Sequence, residues 1–133
     1  MGNPATAVAT VETFLRLVEE RKLDEAAPYL APGVTITFPG GRKFAGLDEQ
    51  VASSTGRFLS VRKVFERFDS VQDGDEVIVY AFGTLQGEAL DGSSFSGVRF
   101  IDRFVLVEGR IVDQKVWNDM AESKVLERRD ETE

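Results

Sequence analysis

Ser94-Phe95-Ser96-Gly97-Val98-Arg99-Phe100-Ile101-Asp102-Arg103-Phe104-Val105-Leu106-Val107, then Glu108-Gly109, then Arg110-Ile111-Val112-Asp113-Gln114-Lys115-Val116-Trp117 is the stretch that decides the fold. Both runs are rich in β-branched and aromatic residues, and a Gly-containing pair punctuates them, so they predict two long strands joined by a tight turn. Residues two apart share a strand face, which puts Val98, Phe100, Asp102, Phe104 and Leu106 in one stripe. That stripe is apolar everywhere except at Asp102.

Upstream, Val61 to Val71 and Glu76 to Gln86 have the same texture, with Asp73-Gly74-Asp75 and Asp91-Gly92-Ser93 as turns. Before them the period changes. Asn3 and Pro4 suit an N-cap and first helical residue, and Val11, Phe14, Leu15 and Val18 follow at helical spacing up to the polar stretch Glu19 to Lys22. Leu23, Ala26, Ala27 and Leu30 predict a second helix of about two turns, with Asp24 a candidate cap and Pro28 limiting its length. Val34 to Phe38, between Pro32-Gly33 and Pro39-Gly40-Gly41, predicts a short strand, and Leu47, Val51 and Phe58 a third helix after Gly46. Asp119 to Arg128 predicts a terminal helix with Asp119 as its cap, and residues 129–133 a mobile charged tail. Helices first and a strand meander second is the α+β layout, with helices on one face of a curled, mostly antiparallel sheet in a single domain over 1–128.

Composition narrows the chemistry. The chain has 133 residues, a net charge of −7, no Cys and no His. Without Cys there is no disulfide, thiolate nucleophile or thiol-built zinc site, and without His the usual neutral-pH base is missing. Proton chemistry must then rest on a perturbed Asp, Glu or Lys, or on a Tyr. The acidic balance disfavours DNA and RNA as partners, and no apolar run reaches membrane-spanning length, so a cytoplasmic protein with no membrane partner is expected. No P-loop, dinucleotide fingerprint or calcium loop is present, and no cofactor or metal is signalled.

The order of elements, with Phe38-Pro39-Gly40-Gly41 and the stretch Val98 to Phe104 continuing to Gly109-Arg110-Ile111, resembles the nuclear-transport-factor-like (cystatin-like) superfamily, nearest its SnoaL-like and ketosteroid-isomerase branch. The resemblance implies a cone-shaped curved sheet wrapped around the N-terminal helices, an apolar pocket between them, and often a homodimer through the outer sheet face. Ketosteroid isomerases use an aspartate base and an oxyanion hole of a tyrosine and a protonated aspartate. Asp102 falls at the position of the protonated aspartate. Phe14 stands where the tyrosine would be and Phe38 where the base would be, so steroid isomerisation is disfavoured. The water-activating Asp, Arg, Asp trio of limonene-epoxide-hydrolase relatives has no counterpart around Asp113 and Lys115. A SnoaL-type cyclase needs one acid/base aspartate, which Asp102 supplies, and cyclase-like or dehydratase-like chemistry stays open.

Asp102 is thus the candidate catalytic residue. Its own strand face offers no positive neighbour, so burial is expected to raise its pKa and let it donate a hydrogen bond; the competing reading is a structural aspartate held by hydrogen bonds or an arginine. Phe14, Phe38, Phe58, Tyr80, Phe82, Phe100, Phe104 and Trp117 are the expected pocket lining, and each also reads as ordinary core. Arg99 and Arg103 should face outward. Three functions follow: an enzyme acting on a hydrophobic small molecule through Asp102, a binding module that keeps the pocket but has lost the chemistry, or an interaction domain. A homodimer is expected because Ile101, Val105 and Val107 alternate away from the Asp102 stripe and would expose apolar surface.

Overall fold

In the computed structural model, which describes residues 3–128, the chain enters helix α1 (Pro4–Glu19) through a side-chain cap. The Thr6 N–H donates to Asn3 Oδ1 at 2.9 Å, and Pro4 takes a first-turn position whose N–H would have no partner anyway. The helix stops in a Schellman motif: the Arg21 N–H donates to Val18 O at 3.0 Å and the Lys22 N–H to Leu17 O at 2.9 Å. Arg21 occupies the left-handed position with φ 62, where glycine is usual. An arginine there costs about 1–2 kcal/mol of backbone strain.

Helix α2 (Leu23–Ala26) is a single turn continued by a 3-10 turn over Ala27–Tyr29, shorter than the spacing predicts because Pro28 brings no N–H to extend it. Asp24 lies within its first turn rather than at its cap. The strands are β1 (Leu30–Phe38), β2 (Arg42–Phe44), β3 (Ser60–Asp73), β4 (Glu76–Glu88), β5 (Ser94–Val107) and β6 (Arg110–Asn118), with helix α3 (Leu47–Ser54) between β2 and β3. Strand β2 has no counterpart in the sequence reading; the Pro39–Gly41 turn folds it back on β1 so that Arg42 opposes Phe38.

The six strands run in the order β2-β1-β6-β5-β4-β3. Neighbours are antiparallel except β1 and β6, which are parallel. Register shifts put an extra residue in β3 between Phe65 and Arg67, in β5 between Phe95 and Val98, and in β6 between Ile111 and Asp113, and bend those strands. At the first of these β3 crowds β4: a Cβ on Gly83 would lie 2.0 Å from the Val64 carbonyl oxygen, so only glycine fits.

The concave face closes over α1. Val11, Phe14, Ile36, Phe104, Leu106 and Ile111 are fully buried there, with Phe14 and Phe104 edge to face at 6.2 Å. Each such side chain contributes about 1.5–3 kcal/mol by leaving water.

The terminal helix and the outer apolar row need correction. No helix spans 119–128: Asp119 spends its carboxylate on Arg99 Nε at 2.6 Å rather than on a cap, Lys124 adopts φ 63, and only a 3-10 turn over Val125–Glu127 forms. The segment still docks, burying Met120 and Val125. On the outer face only Ile101 of the expected apolar row is exposed; Val105 is buried beside the register shift and Val107 is half-buried. Residues 129–133, expected as a tail, lie outside the described residues. Among the described residues no helix is long and apolar enough to cross a membrane.

Candidate functional site

Helix α1, the β1–β2 turn, α3 and the concave faces of β3, β4 and β6 enclose a cavity of about 110 Å³. Phe14, Phe38, Phe58, Val61, Leu85 and Met120 supply apolar wall. Polar groups interrupt it: Glu19, Arg21, Arg42, Ser53, Arg57, Lys63 and Gln114 among them.

Of the expected lining, Phe14, Phe38 and Phe58 are in this wall. Phe100 and Phe104 point inward but are packed into the core beneath it. Tyr80, Phe82 and Trp117 are on the wrong face. Ala81 opposes Asp102 on the concave side, so its neighbours Tyr80 and Phe82 must point outward, and Val116 opposite Asp102 does the same for Trp117. The Tyr80 hydroxyl accepts from Arg103 Nε at 3.3 Å, and Trp117 is 51% exposed beside Ile101.

Asp102 is completely buried, and neither carboxylate oxygen has a hydrogen bond. It does have a positive neighbour, contrary to expectation: Lys63 Nζ lies 3.6 Å from Oδ2. The lysine comes from β3, two strands away in the sheet order. Between them β4 places Ala81 and Gly83, whose minimal side chains leave room to reach across. Burial pushes the Asp102 carboxyl above its ordinary value, and the Lys63 ammonium pulls it part of the way back. Lys63, not Asp102, forms cavity wall.

Lys63 is fixed from both sides. Strand β3 is an edge, so the outward N–H and C=O of its backbone have no strand to pair with. Helix α1 provides the partners: Glu19 Oε1 accepts from the Lys63 N–H at 2.6 Å, and Arg16 donates to the Lys63 carbonyl at 3.0 Å while bonding Glu19 Oε2 at 3.0 Å. The Lys63 ammonium also lies 5.2 Å from the centre of the Phe100 ring. The sequence holds a signal for this residue, since Val61, Lys63 and Phe65 alternate and the lysine is the charged member of an apolar row.

Across the cavity, Arg42 donates to Ser53 Oγ at 3.0 Å and to Pro39 O at 3.3 Å, its guanidinium within 6 Å of the Phe38 and Phe44 rings. Gln114 is 4% exposed on β6, and its Oε1 has no partner. Among the described residues no group of three or more His, Cys, Asp or Glu is placed to hold a metal ion. The cationic and amide groups suit a ligand oxygen: Lys63 can stabilise negative charge developing on a carbonyl oxygen, with Asp102 behind it as the alternative seat for a proton.

A curved mixed sheet closed over N-terminal helices, with the cavity between them, is the nuclear-transport-factor-like fold. Within it, residues 11–114 match the SnoaL-like domain, and the chain belongs to that family. Solved structures agree on the fold. TerC co-crystallised with polyporic acid is 17% identical with a TM-score of 0.75, the alignment covering 92% of this chain and 99% of that one. An NTF2-like protein of unknown function from Burkholderia pseudomallei K96243 is 24% identical with a TM-score of 0.74, over 91% and 96%. A proposed SnoaL-like polyketide cyclase from Jannaschia sp. CCS1 is 18% identical with a TM-score of 0.69, over 92% of each chain. Comparison with curated proteins found no match.

Proposed function

We propose that the protein binds a hydrophobic small molecule in this cavity and moves a proton on it, with Lys63 in contact with the ligand and Asp102 acting through Lys63. The observation that carries the reading is a fully buried carboxylate with no hydrogen bond, 3.6 Å from the one amine that forms cavity wall. Apolar replacements of similar volume are often at least as stable as such a pair, which supports a use for it other than stability. TerC, of the same fold, has been crystallised with polyporic acid, which supports small-molecule binding. The chemistry that fits is enolisation of a bound ketone: Lys63 hydrogen-bonds the carbonyl oxygen and stabilises the enolate, solvent water takes the α-proton as the C–H bond breaks, and a solvent proton returns to that carbon when the ketone re-forms.

Two measurements test this. A bicyclic ketone such as 2-tetralone should raise the melting temperature of the parent but not of Val61→Trp, which fills the cavity; equal stabilisation of both would place the ligand elsewhere. In D2O, proton NMR should show the α-protons of 2-tetralone exchanging faster with the parent than with buffer, and Lys63→Met and Asp102→Asn should lose the acceleration. Binding with exchange at the buffer rate would leave a binding module without chemistry.

The outer face favours self-association as well. Phe82, Ile101 and Trp117 lie side by side across β4, β5 and β6, and the last two are 37% and 51% exposed. A homodimer through this face is expected in sedimentation analysis, and Ile101→Glu with Trp117→Glu should dissociate it. A parent protein that stays monomeric at micromolar concentration would end that reading.

A further inference from the structure

We infer that the cavity selects an apolar organic acid, its carboxylate held by Arg42 and Arg21. This names the ligand class of the site proposed above and rests on that reading. The observation is a local reversal of charge: on a chain of net charge −7, Arg21, Arg42 and Lys63 line the cavity, and among the described residues of its wall the carboxylate is Glu19. Glu19 is already engaged by Arg16, and Lys63 by Asp102. Among the described residues neither Arg21 nor Arg42 has an ion-pair partner.

Both arginines are tethered by hydrogen bonds, Arg42 half-buried and Arg21 at the exposed end of α1. Ser53 Oγ and the Pro39 carbonyl fix Arg42 against two aromatic rings. Arg21 bonds the Val18 carbonyl at 2.9 Å from a backbone position that disfavours any side chain, so the fold keeps a cation where glycine would relieve strain. The unpartnered Oε1 of Gln114, a residue of the same wall, is an acceptor that would take a hydrogen bond from a ligand hydroxyl or N–H and plays no part in holding the carboxylate. A guanidinium held on an apolar wall binds a carboxylate through charge-assisted hydrogen bonds, which a neutral isostere cannot reproduce.

The test uses three ligands of one shape: 2-naphthoate, 2-naphthamide and 2-naphthylmethylammonium. Calorimetry on the full chain should show naphthoate binding about tenfold or more tighter than the amide, the ammonium weakest, with the acid's advantage shrinking as salt rises. Arg42→Gln should bring acid and amide to within about threefold of each other. Should that variant not fold, Arg21→Gln, at an exposed helix end, should narrow the same ratio. Equal binding of acid and amide to the parent overturns the inference and leaves the apolar pocket standing. Failure of all three ligands to bind overturns both.

Discussion

The two faces of the central sheet treat their polar side chains in opposite ways. On the outer face Arg103 lies between Tyr80 and Asp113, Lys115 bonds Asp113 at 2.7 Å, and these groups satisfy one another beside water. On the concave face, one residue along the same strands, Asp102 and Gln114 are buried and carry oxygens with no hydrogen bond. Short contacts therefore do not mark the site. The outer Lys115–Asp113 pair, at 2.7 Å, is closer than the 3.6 Å Lys63–Asp102 contact, yet solvent screening makes it weak, whereas burial makes the inner pair costly to disturb. Unsatisfied polarity inside, on a face otherwise built of Phe and Val, separates a working surface from a merely stable one.

The sharpest way to break this contrast is Lys63→Met. It strands a buried carboxylate and should cost about 3–5 kcal/mol in urea unfolding at neutral pH. Lys63→Met with Asp102→Leu should recover most of that loss, and a double variant no more stable than the single would contradict the assignment of the pair. The same carboxylate sets a pH dependence. Because its folded pKa is raised, its favourable contribution is complete below the ordinary 3.8 and is lost as pH rises through the folded value. Asp102→Asn cannot titrate, so its stability relative to the parent should improve as pH climbs from below 3.8 through that value. A stability difference independent of pH would mean that Asp102 is solvated.

Gln114→Met tests the concave face more gently. Replacing an unpartnered amide by an apolar chain of similar length should be neutral or stabilising, by up to about 1–3 kcal/mol, and a clear loss would show that Oε1 has a partner in the folded protein. The outer face should respond least: Arg103→Gln should change stability by at most about 1 kcal/mol, read from the same urea titration.

Much of the architecture was legible because alternation survives in long strands. Ser94 to Val107 carries its own boundaries, and Asn3-Pro4 carries the start of α1. The terminal segment misled because Asp119 looks like a cap only until Arg99, two strands' length away in sequence, claims its carboxylate. Tyr80, Phe82 and Trp117 misled for a different reason: each strand's two faces are both apolar enough that composition does not tell inside from outside, and register against Asp102 decides. Lys63 was hidden for a third. Its row of alternating residues was visible, but its meeting with Asp102 depends on two strand pairings and on the small residues Ala81 and Gly83 between them, none of which a local pattern encodes.

The parallel pairing of β1 with β6 also governs how the molecule can be made. Residue 30 lies opposite residue 111 and residue 37 opposite residue 115, so the strand carrying Phe38 has its main partner at the far end of the chain. Contacts so distant in sequence form late and slow folding, because the intervening chain must first be brought to order. During synthesis α1 can pack on β3 and β4 as they emerge, whereas β1 waits for β6 to pair its far edge. A nascent chain halted before Arg110 therefore has the local Phe38–Arg42 turn and the other pieces of the pocket without the strand that joins β1 to the rest of the sheet.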